Sequence, residues 1–361
     1  METMSNKRNS SFELLRIISM YLIVVHHFVV HGITQIGNTH GLKRLTMLLM
    51  QSGGKVGVNV FVMIGAYFLI EKNFKFSRVI KISLISIFYS WTIFMIFFLL
   101  GKIIVPYKWY EILIPVPGTY WFVGSYIVLM FASPILNKII NNLPKHQYKN
   151  MLFFLLFIWS IIPTFLISNM IDLGLSHSEL GNSTVSSFVL DYLIIGYIKK
   201  YPNKYVESKK YSWLILLSGI SIMILAFYFE SFYMYENQLV SEYVNNFMNL
   251  NSFFEFWISA GLILVFKNIT PFSNKFINII AGSTFAVYLI HDNQFIRPML
   301  WQKVNNAQYQ SSIDFLINGL EISLLIFIIC IVLDMIRRIL LDNLFNSISQ
   351  QIGNYLDKKI E

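Results

Sequence analysis

The sequence has few charged residues and almost no cysteine. Of its 361 residues, 13% are charged and 55% are hydrophobic, and the mean hydropathy is +0.58. Because so few charges cannot cover a water-soluble surface, the composition excludes a soluble globular protein and indicates a polytopic membrane protein. The single cysteine, Cys330, excludes a disulfide within the chain and a cysteine-based metal site, and we expect no metal.

The sequence also lacks linkers rich in Pro, Gly or Ser, and no internal repeat is evident. We therefore expect one integral membrane domain over residues 1–361, with residues 1–11 and 342–361 as short cytoplasmic tails. Transporters often contain inverted repeats and helices interrupted at corresponding positions of two halves, and neither pattern is evident here.

Apolar runs of bilayer length predict an all-α fold, a polytopic membrane helix bundle of about ten transmembrane helices. The second and sixth runs are short, so the number could differ by one. The predicted spans are 12–31, 56–71, 79–101, 119–140, 148–168, 187–200, 211–229, 251–267, 276–296 and 313–336.

Basic residues are scarce in every second connecting segment, which predicts the orientation of the chain. The segments assigned to the outer side contain seven, namely Lys43, Arg44, Lys55, Lys102, Lys108, Arg297 and Lys303. Apart from Arg16 in the first span, the remaining Lys and Arg residues are assigned to the other connecting segments and both tails. Both termini are therefore predicted to be cytoplasmic. The net charge of +9 then reflects topology and contact with membrane lipids, and we expect no nucleic-acid partner.

The first predicted span carries four ionisable side chains within an apolar run, where ionisable groups are costly and usually functional. They are Glu13, Arg16, His27 and His31. At 100° per residue all four lie on one helix face, whereas His26 points about a quarter-turn away. Glu13 precedes Arg16 by three residues, so it either neutralises the arginine in an ion pair or orients it.

Four segments together resemble the family-3 membrane acyltransferases. These segments are FELLR at 12–16 followed by His27, GVNVFVMIGAYFLI at 57–70, YWFVG at 120–124 and STFAVYLIHDN at 283–293. The spacing between arginine and histidine is the specific signal. The family usually has Ser-Gly where this chain has Gly65-Ala66, a departure that keeps small residues for helix packing.

The resemblance implies a ten- or eleven-helix enzyme that O-acylates cell-surface glycans, in the plasma membrane of a bacterial cell. Its basic-residue and histidine pair corresponds to Arg16 and His27. Eleven residues of helix separate the two by about 16 Å, which suits an acyl-CoA that enters from the cytoplasm. Its phosphates would pair with Arg16, Arg78 and Lys81, and its thioester would reach His27.

His27 would act as a general base on a sugar hydroxyl or form an acyl-histidine intermediate, and the sequence leaves both mechanisms open. Residues near the outer ends of the fourth and ninth spans are candidates for acceptor binding. They are Tyr120, Trp121, Tyr288, His291, Asp292 and Arg297. Asp191 and Glu255 also lie within apolar runs and are weaker candidates for lining a central cavity.

These observations predict an O-acyltransferase that moves an acyl group, most simply acetyl from acetyl-CoA, to a cell-envelope or capsular polysaccharide or its lipid-linked precursor. The polysaccharide synthesis machinery is a potential partner. Two alternatives stay open: a polysaccharide export or transport protein, and a non-catalytic partner of a polysaccharide synthase.

Overall fold

The computed structural model describes residues 9–103, 120–165 and 184–360, and within these ranges the regular structure is entirely helical. The helices are α1 (Ser10–Val30), α2 (Gly41–Leu69), α3 (Phe76–Leu99), α4 (Trp121–Asn142), α5 (Lys145–Phe165), α6 (Thr184–Lys200), α7 (Lys209–Met234), α8 (Gln238–Phe247), α9 (Phe253–Lys267), α10 (Lys275–Ala281), α11 (Thr284–His291), α12 (Ile296–Val304) and α13 (Ser312–Ile360).

Seven of the described helices are long and apolar enough to cross a membrane, namely α1, α2, α3, α4, α5, α7 and α13. This composition agrees with the predicted membrane helix bundle. The sixth and eighth predicted spans correspond to shorter helices, α6 with 17 residues and α9 with 15. Both are largely buried inside the bundle, where a helix of this length still contributes to the core.

The second predicted span begins too late, because α2 has 29 residues and starts at Gly41. Lys43, Arg44 and Lys55, which the sequence pattern assigned to an outer connecting segment, therefore lie within this helix. The helix tolerates Arg44 because its guanidinium is buried against the carboxylate of Glu230, with Nε 2.9 Å from one carboxylate oxygen and 2.8 Å from the other.

The ninth predicted span consists of two helices, α10 and α11, which are separated at Gly282 and Ser283. Arg338 of α13 stabilises the break by donating to the Ile279 carbonyl at 2.8 Å and to Ser283 Oγ at 3.1 Å.

The last helix also exceeds its prediction, because α13 continues through the residues that were expected to form a tail. This continuation packs against the start of α3, where the Asp357 carboxylate accepts a hydrogen bond from the Phe76 amide at 3.2 Å.

Helix α1 is central in the bundle and packs against α2, α9, α10, α11 and α13. Its closest neighbour is α2, and two glycines permit the approach. A Cβ at Gly54 would overlap the imidazole of His26, and one at Gly57 would lie 2.5 Å from the Ser19 carbonyl oxygen. Small residues at a helix interface allow this contact between backbones in membrane proteins.

Both ends of α1 are fixed by buried polar contacts. At its start, Ser10 Oγ donates to Asn278 Oδ1 at 2.8 Å and accepts from the Asn274 amide at 2.7 Å. Near its end, the fully buried Asn306 donates to the Phe28 carbonyl and accepts from the Thr34 amide, both at 2.9 Å. The histidines of α1 are consequently held in a defined register against α11.

Candidate active site

The centre of the candidate site is a hydrogen-bonded pair of buried histidines, His27 of α1 and His291 at the end of α11. His27 Nδ1 lies 2.8 Å from His291 Nε2, although 264 residues separate the two in the sequence. The sequence pattern placed His291 in an acceptor pocket. The structure instead brings it directly to His27.

The hydrogen bonds assign the tautomers of both rings. His291 Nδ1 is 2.6 Å from the Val287 carbonyl oxygen, which can only accept, so Nδ1 carries the hydrogen. His291 Nε2 of the neutral ring then accepts, and His27 Nδ1 must donate to it. The lone pair of His27 therefore lies on Nε2, which makes no hydrogen bond within the described residues and is available as a base or nucleophile.

Asp292 lies on the Nδ1 side of this pair. Its Oδ1 is 4.0 Å from His27 Nδ1, 3.6 Å from His31 Nε2 and 3.4 Å from a terminal nitrogen of Arg297. The Asp292 carboxylate is buried, whereas Arg297 is partly exposed. When His27 takes up a proton at Nε2, the resulting imidazolium would have this carboxylate near its Nδ1 side, where it stabilises the positive charge of the ring.

His27, His31 and Asp292 offer ligand atoms that lie within 4.8 Å of one another, so they are the described residues that could hold a metal ion. His27 would have to give up its hydrogen bond to His291 if it bound a metal through Nδ1, because that nitrogen carries the shared hydrogen. The contacts that the structure shows among these groups are the His27–His291 hydrogen bond and the ion-pair distances from Asp292 to His27 and His31.

A small cavity of about 30 Å³ borders His27. Trp121 and Tyr288, two of the predicted acceptor residues, line it. Two further polar side chains line the cavity, those of His26 and Lys55. The other lining residues are Gly54 and the apolar residues Met20, Ile23, Val58, Phe61 and Phe122. The space suits a reacting group that must be kept away from bulk water.

Tyr120 does not line this cavity, and its fully buried hydroxyl fixes the neighbouring backbone. It donates to the Leu289 carbonyl at 2.8 Å and accepts from Asn293 Nδ2 at 2.6 Å. These hydrogen bonds attach the start of α4, where Trp121 lies, to the end of α11, where His291 lies.

Arg16 lines a second cavity, of about 260 Å³, towards the beginning of α1. Its guanidinium donates to Glu13 at 2.9 Å, which confirms the predicted ion pair, and stands 5.9 Å from the ring centre of Phe61. Phe61 and Phe122 line both cavities. The arginine and the histidine thus occupy two neighbouring cavities that these two rings separate.

Arg78 and Lys81 do not line the Arg16 cavity. Arg78 donates to the Asn73 carbonyl at 3.0 Å, and Lys81 donates to Asn346 Oδ1 of α13 at 2.6 Å. Their neighbour Ile82 does line that cavity. The two basic residues are therefore near its periphery, and their role in donor binding stays a prediction.

The sequence analysis missed two polar groups of the site. His26, expected to point elsewhere, lines the His27 cavity and lies 2.6 Å from the Gln51 carbonyl oxygen through Nδ1. Lys55 lines the same cavity. Its position in the GGKVG segment, between the glycines that bring α2 to α1, is a signal that could have identified it.

The fold and the site define a multi-pass membrane protein whose described residues form helices and which contains a buried histidine pair beside a cavity. A family model described as an acyltransferase domain, that of acyltransferase family 3, matches residues 9–335, and the chain belongs to this family. No curated protein and no solved structure gives a significant match.

Proposed function

We propose that this acyltransferase transfers an acetyl group from cytoplasmic acetyl-CoA to a hydroxyl of a cell-envelope glycan or its lipid-linked precursor. The observation that carries the proposal is the pair of neighbouring cavities, one containing the Arg16 guanidinium and the other His27. Phe61 and Phe122 line both cavities, so we expect a rearrangement of these two rings to join them into one passage.

The donor occupies the Arg16 cavity in this proposal. A guanidinium presents several N–H donors in a planar arrangement that matches phosphate oxygens, and CoA carries such groups at the end opposite its thioester. The distance of about 16 Å from Arg16 to His27 along α1 is spanned by the extended pantetheine arm. Glu13 orients the guanidinium through its hydrogen bond.

The acceptor approaches from the side of Trp121 and Tyr288, with Arg297 and Asp292 nearby. His27 Nε2 removes the hydroxyl proton as the oxygen attacks the thioester carbonyl carbon. The imidazolium that forms keeps its Nδ1 hydrogen bond to His291 and is stabilised by Asp292. It then returns the proton to the departing CoA thiolate, so one hydroxyl and one thioester give one ester and one thiol.

The test uses purified protein in lipid nanodiscs, with radiolabelled acetyl-CoA and cell-envelope glycan as substrates. His27→Ala should reduce transfer by at least about 10²-fold, the typical contribution of a general base, while donor binding is kept. Arg16→Ala should weaken donor binding instead. The matched control is His146→Ala, because His146 is exposed on α5 and should leave both measurements unchanged.

Undiminished transfer by the His27 variant would contradict the proposal. Label that accumulates on the wild-type protein in the absence of glycan, is released by acid or hydroxylamine, and is absent from His27→Ala would identify an acyl-histidine intermediate in place of the direct transfer described here.

A further inference from the structure

Lys55 is a partly buried cation in the cavity that borders His27, and the mechanism above gives it no role. It lies on α2 between Gly54 and Gly57, the glycines that allow α1 to approach. Together with His26 and His27 it provides the ionisable groups of a cavity that is otherwise lined by apolar and aromatic side chains. Of the three, His26 is bound to the Gln51 carbonyl.

A buried acidic side chain of a neighbouring helix faces the part of α2 that carries Lys55, without a direct ion pair. Glu255 of α9 is fully buried and accepts a hydrogen bond from Ser52 Oγ at 2.8 Å. Ser52 and Lys55 are three residues apart on α2 and share a face, so Lys55 lies on the side of α2 that faces Glu255. None of the ion pairs or hydrogen bonds in the described part of the chain includes the Lys55 ammonium.

Lys55 lines the same cavity as His27, so its ammonium group can reach the space where the thioester carbonyl must lie to be attacked near His27. When the acceptor oxygen bonds to the carbonyl carbon, the π electrons of the C=O bond move to its oxygen and create an oxyanion. A fixed donor in a site that excludes water stabilises that charge far more than it stabilises the neutral carbonyl.

We propose that Lys55 donates a hydrogen bond from Nζ to the oxyanion of the tetrahedral intermediate, and that Glu255 is the positioning residue that keeps this ammonium in place. The inference rests on the proposed acyl transfer. When the intermediate collapses, the C=O bond forms again, the C–S bond breaks, and the thiolate takes the proton from His27. Lys55 keeps all its protons throughout.

The experiment compares Lys55→Met, Lys55→Arg, Glu255→Gln and the double variant Lys55→Met with Glu255→Gln, all in nanodiscs. Lys55→Met should lower kcat by about 10²-fold to 10³-fold, the usual effect of losing one oxyanion donor, with KM for acetyl-CoA changed by less than about threefold. Lys55→Arg should recover part of kcat. Glu255→Gln should have a smaller effect. Lys72→Met is the matched control, because Lys72 is exposed just beyond α2.

The double variant separates catalysis from charge compensation. If Lys55 served only to neutralise buried Glu255, removing both charges would restore kcat to near the wild-type value, and this result would overturn the inference. Equal activity of Lys55→Met and wild type would also overturn it while leaving His27-dependent transfer intact. Failure of the proposed function itself looks different, because His27→Ala and wild type would then behave alike.

Discussion

At the scale of single residues, substitutions of His291 test whether this residue orients His27 or binds the acceptor. His291→Ala removes the acceptor that holds the Nδ1 hydrogen of His27, so the base loses its tautomer and orientation, and we expect kcat to fall by roughly 10²-fold. His291→Gln keeps a carbonyl oxygen that can accept this hydrogen and should recover much of the loss. Steady-state kinetics with varied donor and acceptor measures both.

KM for acetyl-CoA should stay unchanged in both variants, because His291 is remote from the Arg16 cavity. A loss that appears only in KM for the glycan, equally in Ala and Gln, would instead assign His291 to the acceptor pocket that the sequence suggested.

The part of the site that the sequence predicted is the part that lies along one helix. Glu13, Arg16 and His27 share a face of α1 because of helical periodicity alone, and their ion pair follows from a spacing of three residues. The contacts of His291 and Lys55 depend on how α11 and α2 pack against α1. The glycines around Lys55 indicate a close approach of α2, but no local pattern specifies which helix α11 contacts, because His27 and His291 are 264 residues apart.

At the scale of helices, the departure from the usual Ser-Gly pair has a steric reason. Gly65 of α2 faces the hydroxyl of Tyr126, and an added Cβ would overlap the hydroxyl oxygen. Gly65→Ala should therefore destabilise the protein by about 1–3 kcal/mol through overpacking. Tyr126→Phe removes the overlapping atom and should restore most of that stability in the double variant, as thermal unfolding in detergent would measure.

Gly53→Ala is the matched control on the same helix, because its Cβ would make an ordinary 3.5 Å contact with Leu22. If both alanine variants lost the same stability, the cause would be helix packing in general and not the tyrosine hydroxyl.

The helix boundaries that the sequence missed have a common cause. Hydropathy counts a charged residue as a reason to end a span, yet Arg44 lies in the first turn of α2 because Glu230 neutralises it from 186 positions away. The break between α10 and α11 is stabilised by Arg338 of α13 in the same manner. A hydropathy window covers only neighbouring residues, so it contains neither Glu230 as the partner of Arg44 nor Arg338 as the partner of the break between α10 and α11.

At the scale of the whole molecule, the proposed division between donor and acceptor requires a particular orientation in the membrane. The two ends of α7 offer a direct test, because Lys204 lies before this helix and Glu236 after it, and both are exposed. A helix of this length should place them on opposite sides. From the distribution of basic residues, we expect Lys204 to be cytoplasmic and Glu236 to be outside.

Cysteines replacing these two residues should report the orientation through an impermeant thiol reagent. Glu236→Cys should react in intact cells, and Lys204→Cys only after permeabilisation. The parent protein is a suitable background because Cys330 is 3% exposed. The reverse pattern would place the Arg16 cavity at the outer face, where no CoA is supplied, so the donor would have to enter from the His291 side and the assignment of Arg16 to the donor would fail.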